Sequence, residues 1–295
     1  MKAILITGAA GFIGSAIVNK LKNKPFRLVL VDNLSKGRLQ NLGNLSNQLI
    51  VGDLSDLKFV HSLPIVDIIL HLAGQSSGER SMDSPGLDLK DNYISTINIV
   101  DYARRNQVKN IIFSSSMSVY GKGDLVPMTN YGIHKLSSEF YLLNNLPNSN
   151  VSILRFFNIY GPGQDLTDLK QGMVSIFVAQ ALQSNCITVK GSLERKRDFV
   201  YIDDLVDFFI EVFEERFQLP SGFSVNDIAS GQTTSVGQLL ENITKIWGSK
   251  EIKILDGTPG DQFEVYSANS LLEKVLNRPT TKINKGLLLW KEMLK

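Results

Sequence analysis

The sequence has one cysteine, Cys186, and three histidines among its 295 residues. A single cysteine excludes an internal disulfide and a cysteine-based metal cluster, and it suits a reducing, cytoplasmic setting. Cys186 itself reads as a small buried hydrophobe. An excess of charge is also lacking: the formal net charge is +2 at pH 7. Such a balance leaves no footprint for nucleic acid or an anionic membrane, although a local basic patch for a phosphate remains compatible with it. No apolar run approaches the roughly 18 residues that cross a bilayer. The opening Lys2-Ala3-Ile4-Leu5-Ile6 is broken by Thr7-Gly8 and reads as a strand and turn, not a signal peptide. Internal repeats, low-complexity tracts and metal-ligand spacings are absent too.

What is present suits a globular protein of one large domain and a smaller one: 43% hydrophobic and 20% charged residues. Residues 2–6 form a short apolar run followed by Gly8, Gly11 and Gly14, spaced three apart, and then by a helical pattern from Ser15 to Leu21. Strand, glycine turn, helix is the context of a dinucleotide site, because glycines let backbone amides at a helix N-terminus approach a pyrophosphate. A second apolar strand ends in Asp32-Asn33, with Asp32 placed to bind adenosine ribose hydroxyls. That favours NAD over NADP, while Lys36 and Arg38 are placed where a 2′-phosphate would need cations. Strands at 49–51, 67–72 and 110–114 come next, with a helix expected over 87–106 and Asn92 near its start. Asp53, after the third strand, reads equally as an adenine contact or a helix N-cap. His71 reads as a structural histidine. Successive strand and helix units predict a doubly wound parallel sheet, with functional residues at the carboxyl ends of its strands.

The fifth strand delivers Ser114-Ser115-Ser116, and the next helix opens near Tyr131 with Thr129 or Asn130 as its cap. Residues four apart share a helix face, so Tyr131 and Lys135 point the same way, and the ammonium is expected to lower the phenol's pKa. Ser116 could hydrogen-bond the oxygen that the tyrosine deprotonates. A sixth strand at 151–157 leads to Gly161-Pro162-Gly163, a candidate domain boundary. Helices near 172–184, 203–216, 235–247 and 282–294 and a strand near 187–189 complete a smaller lobe. Within it, Arg195, Lys196 and Arg197 are read as a loop that could hold a diphosphate, a solvated charge cluster being the ordinary explanation.

These motifs together resemble the extended short-chain dehydrogenases/reductases of the NAD-dependent epimerase/dehydratase family, above all the UDP-glucose (UDP-galactose) 4-epimerases. The matching runs are Thr7-Gly8-x-x-Gly11-Phe12-Ile13-Gly14, Asp32-Asn33-Leu34, Gly52-Asp53-Leu54, His71-Leu72-Ala73-Gly74, Asn92, Ser114-Ser115-Ser116 with Val119-Tyr120-Gly121, Tyr131-x-x-x-Lys135, Arg155-Phe156-Phe157-Asn158 with Tyr160-Gly161-Pro162, Arg197-Asp198-Phe199-Val200 and Pro259-Gly260-Asp261.

The resemblance implies a Rossmann domain over residues 1–158, to which roughly 197–228 returns, and a nucleotide-sugar lobe over 159–196 and 229–295. It implies NAD contacts from Gly8, Gly11, Phe12, Ile13, Gly14, Asp32, Asn33, Leu34, Ser35, Lys36, Gly37, Asp53, Leu54, Leu72, Ala73, Gly74, Gln75, Asn92, Ser114, Tyr131, Lys135 and Phe157. Ser76, Ser116, Asn158, Arg197 and Asp261 would meet the nucleotide sugar. Ser116, Tyr131 and Lys135 would be catalytic, and helices around 87–106 and 131–146 would build a homodimer.

Dehydratases of this family carry an Asp-Glu pair where this chain has Met117 and Ser118, and decarboxylases keep the glutamate, so both reactions are disfavoured. The implied activity is 4-epimerisation of a UDP-sugar. A 4-keto-sugar reductase, a 4,6-dehydratase and a non-enzymatic NAD(P)-binding regulator are the alternatives. Three departures from such epimerases bear on the substrate: a shorter spacer between Gly121 and Asn130, Thr258 where an arginine is usual, and Val265 of intermediate size.

Overall fold

A computed structural model describes residues 1–121, 125–257 and 262–294. The chain divides into two compact units, one of Met1–Arg155 with Phe209–Asn226 and one of Phe156–Phe208 with Asp227–Lys295.

The first unit is built on a seven-stranded sheet: β1 (Lys2–Thr7), β2 (Phe26–Asp32), β3 (Leu49–Val51), β4 (Ile68–His71), β5 (Asn110–Ser116), β6 (Asn150–Phe156) and β7 (Phe223–Ile228). Their spatial order is β7-β6-β5-β4-β1-β2-β3, and β1 pairs in parallel with both β2 and β4. The seventh strand, which lies beside β6, was not anticipated. Helices cover both faces, so the central strands are apolar almost throughout; Ile4, Leu5, Ile6, Ile69 and Leu70 have no exposed surface. Strand order reverses between β1 and β4, and a parallel sheet opens a crevice at that point beyond its carboxyl ends. Thr7 and His71 are register partners there.

Three helices of this unit are α1 (Phe12–Leu21), α2 (Ser95–Arg105) and α3 (Asn130–Asn145). Thr129 caps α3, its hydroxyl accepting from Gly132 N–H at 3.2 Å. The helix expected over 87–106 is instead three pieces: Pro85–Leu89, a π-helical turn at Lys90–Ile94, and α2. Asn92 sits inside the π turn, not near a helix start.

In the second unit, Cys186–Lys190 pairs in parallel with Glu251–Leu255. Cys186 is half-buried there, more open than expected of a core residue. Lys196–Arg197 is a short strand between Thr234–Ser235 and Glu264–Val265, not a loop. Pairing on both sides fixes the two basic side chains on opposite faces. Helix α4 (Val236–Trp247) begins with a reciprocal cap between Ser235 and Gln238.

Candidate active site

The β1–α1 turn is shaped by what it has no room for. A Cβ on Gly14 would stand 2.1 Å from the Gly8 carbonyl oxygen, and one on Gly8, whose φ is +68°, would stand 2.9 Å from Ala73 N. Both positions therefore require glycine, and the turn lies flat against the chain leaving β4. Gly11 begins α1 without any side-chain cap, so first-turn amides face outward for an anion. Asp32 is buried, accepting from Ala10 N–H at 3.0 Å through Oδ2 and from Leu34 N–H at 2.8 Å through Oδ1. One backbone donor per oxygen leaves lone pairs for ribose hydroxyls. Gly37 preserves that room, since a Cβ there would stand 2.8 Å from both Asp32 oxygens.

The other predicted contacts of this half lie around it. Phe12, Ile13 and Leu34 are half-buried, while Asn33, Ser35 and Lys36 are exposed. Asp53 is neither free nor a helix cap. Its Oδ1 holds Ser55, its Oδ2 takes Lys90 Nζ at 2.7 Å, and Asp56 caps the next helix. Leu54 is buried in the core.

At the end of β5, Ser114, Ser116, Tyr131 and Lys135 come together, all buried. Lys135 Nζ donates to the Ser114 carbonyl at 2.9 Å and stands 4.9 Å from the Phe113 ring centroid and 5.9 Å from that of Tyr131. In this pocket burial outweighs any lowering of the phenol's pKa by Lys135. Loss of water pushes Tyr131 up to about 12; hydrogen bonding from Ser116 opposes the rise and the charge of Asp88 adds to it. Burial likewise brings Lys135 down to about 8, against the pull of Asp88 and Glu139. Water-poor surroundings drive both groups toward neutrality.

His71, at the switch point, is a pin. The Thr7 hydroxyl accepts from the Leu72 and Ala73 amides at 3.1 Å each, so its own proton goes to His71 Nδ1 at 2.8 Å. Nε2–H then donates to Thr96 Oγ1 at 3.2 Å, which donates to Asn92 O at 2.7 Å. Burial takes the ring to about 3, so it stays neutral and fixes Leu72 and Ala73 in place.

Sequence reasoning missed a second layer. Asp88, fully buried, accepts from Gln75 Nε2 at 2.6 Å and Asn92 Nδ2 at 2.9 Å on one oxygen, and its other oxygen bonds His134 Nδ1 at 2.5 Å. Glu139 holds the Arg155 guanidinium through both oxygens, at 3.0 and 2.6 Å, and accepts from the Ser115 hydroxyl. The one signal available beforehand was spacing: Asp88 and Asn92 are four apart, as are Lys135 and Glu139. Among the described residues the buried Asn92 Oδ1 has no hydrogen-bond partner, and a Cβ on Gly74 would stand 2.4 Å from it. An orphaned acceptor opposite an obligatory glycine suits a ligand hydroxyl. Ser76 lies exposed just beyond.

In the second unit Phe157 is fully buried, and Asn158 Nδ2 donates to Asp198 O at 2.7 Å. Arg197, also buried, donates to the backbone carbonyls of Lys196, Phe263 and Gln262. Burial, with Arg195 nearby, lowers it to about 10. Arg195 is itself held by the carbonyls of Ser192 and Lys190. Val265 is buried as the register partner of Arg197. Thr258 and Asp261 lie outside the described residues.

A tyrosine and a lysine denied water at the edge of a dinucleotide cradle define the short-chain dehydrogenases/reductases, and this chain is one of the extended kind. More particularly, it belongs to the NAD dependent epimerase/dehydratase family, which matches residues 4–226. NAD is the cofactor, and the glycine turn, Asp32 and the orphaned Asn92 oxygen fit it. The chain is similar to a UDP-glucose 4-epimerase of Mycolicibacterium smegmatis, 32% identical with 82% of this chain and 79% of the relative covered. It is also similar to UDP-glucuronic acid decarboxylase 3 of Arabidopsis thaliana, 31% identical with 98% and 88% covered. Among solved structures, UDP-glucose 4-epimerase with UDP-glucose from Thermotoga maritima is 30% identical, with a TM-score of 0.88 over 99% of this chain and 100% of that one.

Proposed function

We propose that the protein is an NAD-dependent nucleotide-sugar 4-epimerase acting on a UDP-sugar. The observation that carries this reading is the company kept by Tyr131: Ser116 and Lys135 converge on it, while Met117 and Ser118 stand where elimination would need acids. The carboxylates buried nearby are engaged, Asp88 by Gln75, Asn92 and His134, and Glu139 by Arg155 and Ser115. Neither is disposed to protonate a leaving hydroxyl.

When bound, NAD supplies a reversible hydride acceptor for the sugar's C4. Tyr131, as phenolate, takes the proton of the 4-hydroxyl and later returns it, and the Ser116 hydroxyl hydrogen-bonds the same oxygen. The Lys135 charge would favour the phenolate, and the positive charge of bound NAD would add to it. Asn92 Oδ1 and Lys135 Nζ would hold the nicotinamide ribose, and Asp32 the adenosine ribose. The resemblance assigns the nucleoside diphosphate to Asn158 and Arg197. Two chains associate through the helices of residues 87–106 and 131–146.

The test is to incubate purified protein with a panel of UDP-sugars and follow the anomeric signals by NMR. A second sugar differing at C4, with NAD recovered on denaturation, is the expected result. No epimer from any sugar in the panel would sink the reading, and consumption of NADPH with a 4-keto sugar would replace it with a reductase.

A further inference from the structure

The Ser116 hydroxyl has three hydrogen-bonding neighbours, and it can serve them in two arrangements of opposite direction. Its oxygen lies 3.1 Å from Ser118 N and 3.2 Å from Ser118 Oγ, and it faces the Tyr131 phenol as a hydrogen-bonding neighbour. A serine hydroxyl has one proton and two lone pairs. The Ser118 N–H occupies one lone pair permanently, as the cap of the short turn Met117–Val119. One proton and one lone pair then remain for two hydroxyl neighbours.

We propose that Ser118 is a positioning residue for the catalytic tyrosine, the outer member of a hydroxyl chain Tyr131–Ser116–Ser118 that reverses direction when the phenol ionises. With Tyr131 protonated, the phenol donates to Ser116 and Ser116 donates to Ser118 Oγ. With Tyr131 ionised and no sugar bound, Ser116 turns its proton to the phenolate, and the lone pair this frees accepts the Ser118 proton. No covalent bond changes within the serines; two hydroxyl rotations re-aim the chain. A donor behind a donor strengthens both bonds, so Ser118 stabilises the phenolate that it does not touch.

Two further features support this placement. Gly132 comes directly after Tyr131, and a Cβ there would stand 2.4 Å from the Ser118 carbonyl oxygen. The backbone of α3 is thus pressed against Ser118, which sets Tyr131 opposite Ser116. Secondly, among the described residues the Ser118 hydroxyl bonds only Ser116.

The inference rests on Tyr131 being the base of the proposed epimerase, and its test separates the two ideas. Tyr131 ionisation is followed in the NAD-loaded protein by ultraviolet difference absorbance against Tyr131→Phe, for the natural chain, Ser118→Ala and Ser118→Thr. Ser118→Ala is expected to raise the midpoint by about half a unit to one unit, the worth of one neutral hydrogen bond. Ser118→Thr, which keeps the hydroxyl, is expected to restore it. Below the midpoint, kcat/KM for Ser118→Ala falls by the matching factor, about three- to tenfold, because the midpoint belongs to the sugar-free enzyme. Titrations are read below each variant's melting temperature, so a less stable variant still reports. An unshifted midpoint in Ser118→Ala, or a shift that threonine does not reverse, overturns the relay while leaving epimerisation intact. Absence of epimer with the shift present sinks the epimerase reading alone.

Discussion

The glycine cradle at β1–α1 and the tyrosine pocket beyond β5 stand at the carboxyl edge of one sheet, yet they are made by opposite means. The cradle is made of room: Gly8, Gly14 and Gly37 each stand where a methyl group would meet backbone or carboxylate atoms. The pocket is made of withheld water, with a phenol held at about 12 and an ammonium at about 8. The first kind of site fails by collision, whatever the pH. The second fails by altered ionisation, and its failures track pH.

Three substitutions would break or sharpen that contrast. Tyr131→Phe is expected to lower kcat on the order of 10²–10⁴-fold, the range for a lost general base, while NAD is retained through purification. Steady-state kinetics with cofactor content checks this, and loss of NAD together with activity would show that the two regions are not separable. Gly14→Ala is expected to cost about 1–3 kcal/mol of stability by overpacking and to release NAD, equally at mildly acid and mildly alkaline pH. Denaturant melts at both pH values read it, and a pH-dependent loss would count against a purely steric cradle.

Lys135→Met acts in the other direction. Burial has lowered this ammonium from 10.5 to about 8, so below pH 8 the folded chain carries a charge that the unfolded chain holds more cheaply. Removing the charge should stabilise the cofactor-free protein at neutral pH by up to about 3 kcal/mol, less the lost bond to Ser114. The sign comes from the unfolded state binding more protons between 8 and 10.5: the gain is full below 8 and disappears as pH rises to 10.5. Urea melts at neutral and alkaline pH test it, and an equal effect at both would show that charge is not the cause.

The same contrast explains what the sequence disclosed. Features that depend on neighbours in the chain were visible: three glycines after an apolar strand, Asp32 at the next strand end, and Tyr131 and Lys135 one helical turn apart. Features that depend on distant partners were not. Asp88 becomes a buried acid only when His134, 46 residues away, meets it, and Arg155 is legible as the partner of Glu139 only once β6 lies beside β5. Asp53 was a plausible cap by spacing, but Asp56 stands closer to the helix and took that role. The π turn at Lys90–Ile94 has no composition of its own and passed as plain helix. The net direction of the phenol's pKa was out of reach for a related reason. Spacing gives proximity, whereas the pKa depends on the water that folding removes.

One property of Lys135 reaches beyond catalysis. An amine with a pKa of about 8 is unprotonated in roughly one molecule in ten at pH 7, against well under one in a thousand for an ordinary lysine. Free electron pairs, not charge, attack acylating reagents, so the burial that lowers this amine gives it a larger nucleophilic fraction than an unburied lysine has. Its burial means that only a reagent shaped to enter as the dinucleotide does would reach it. The solvation that shapes the tyrosine pocket thereby makes Lys135 a point of attachment for an active-site-directed electrophile.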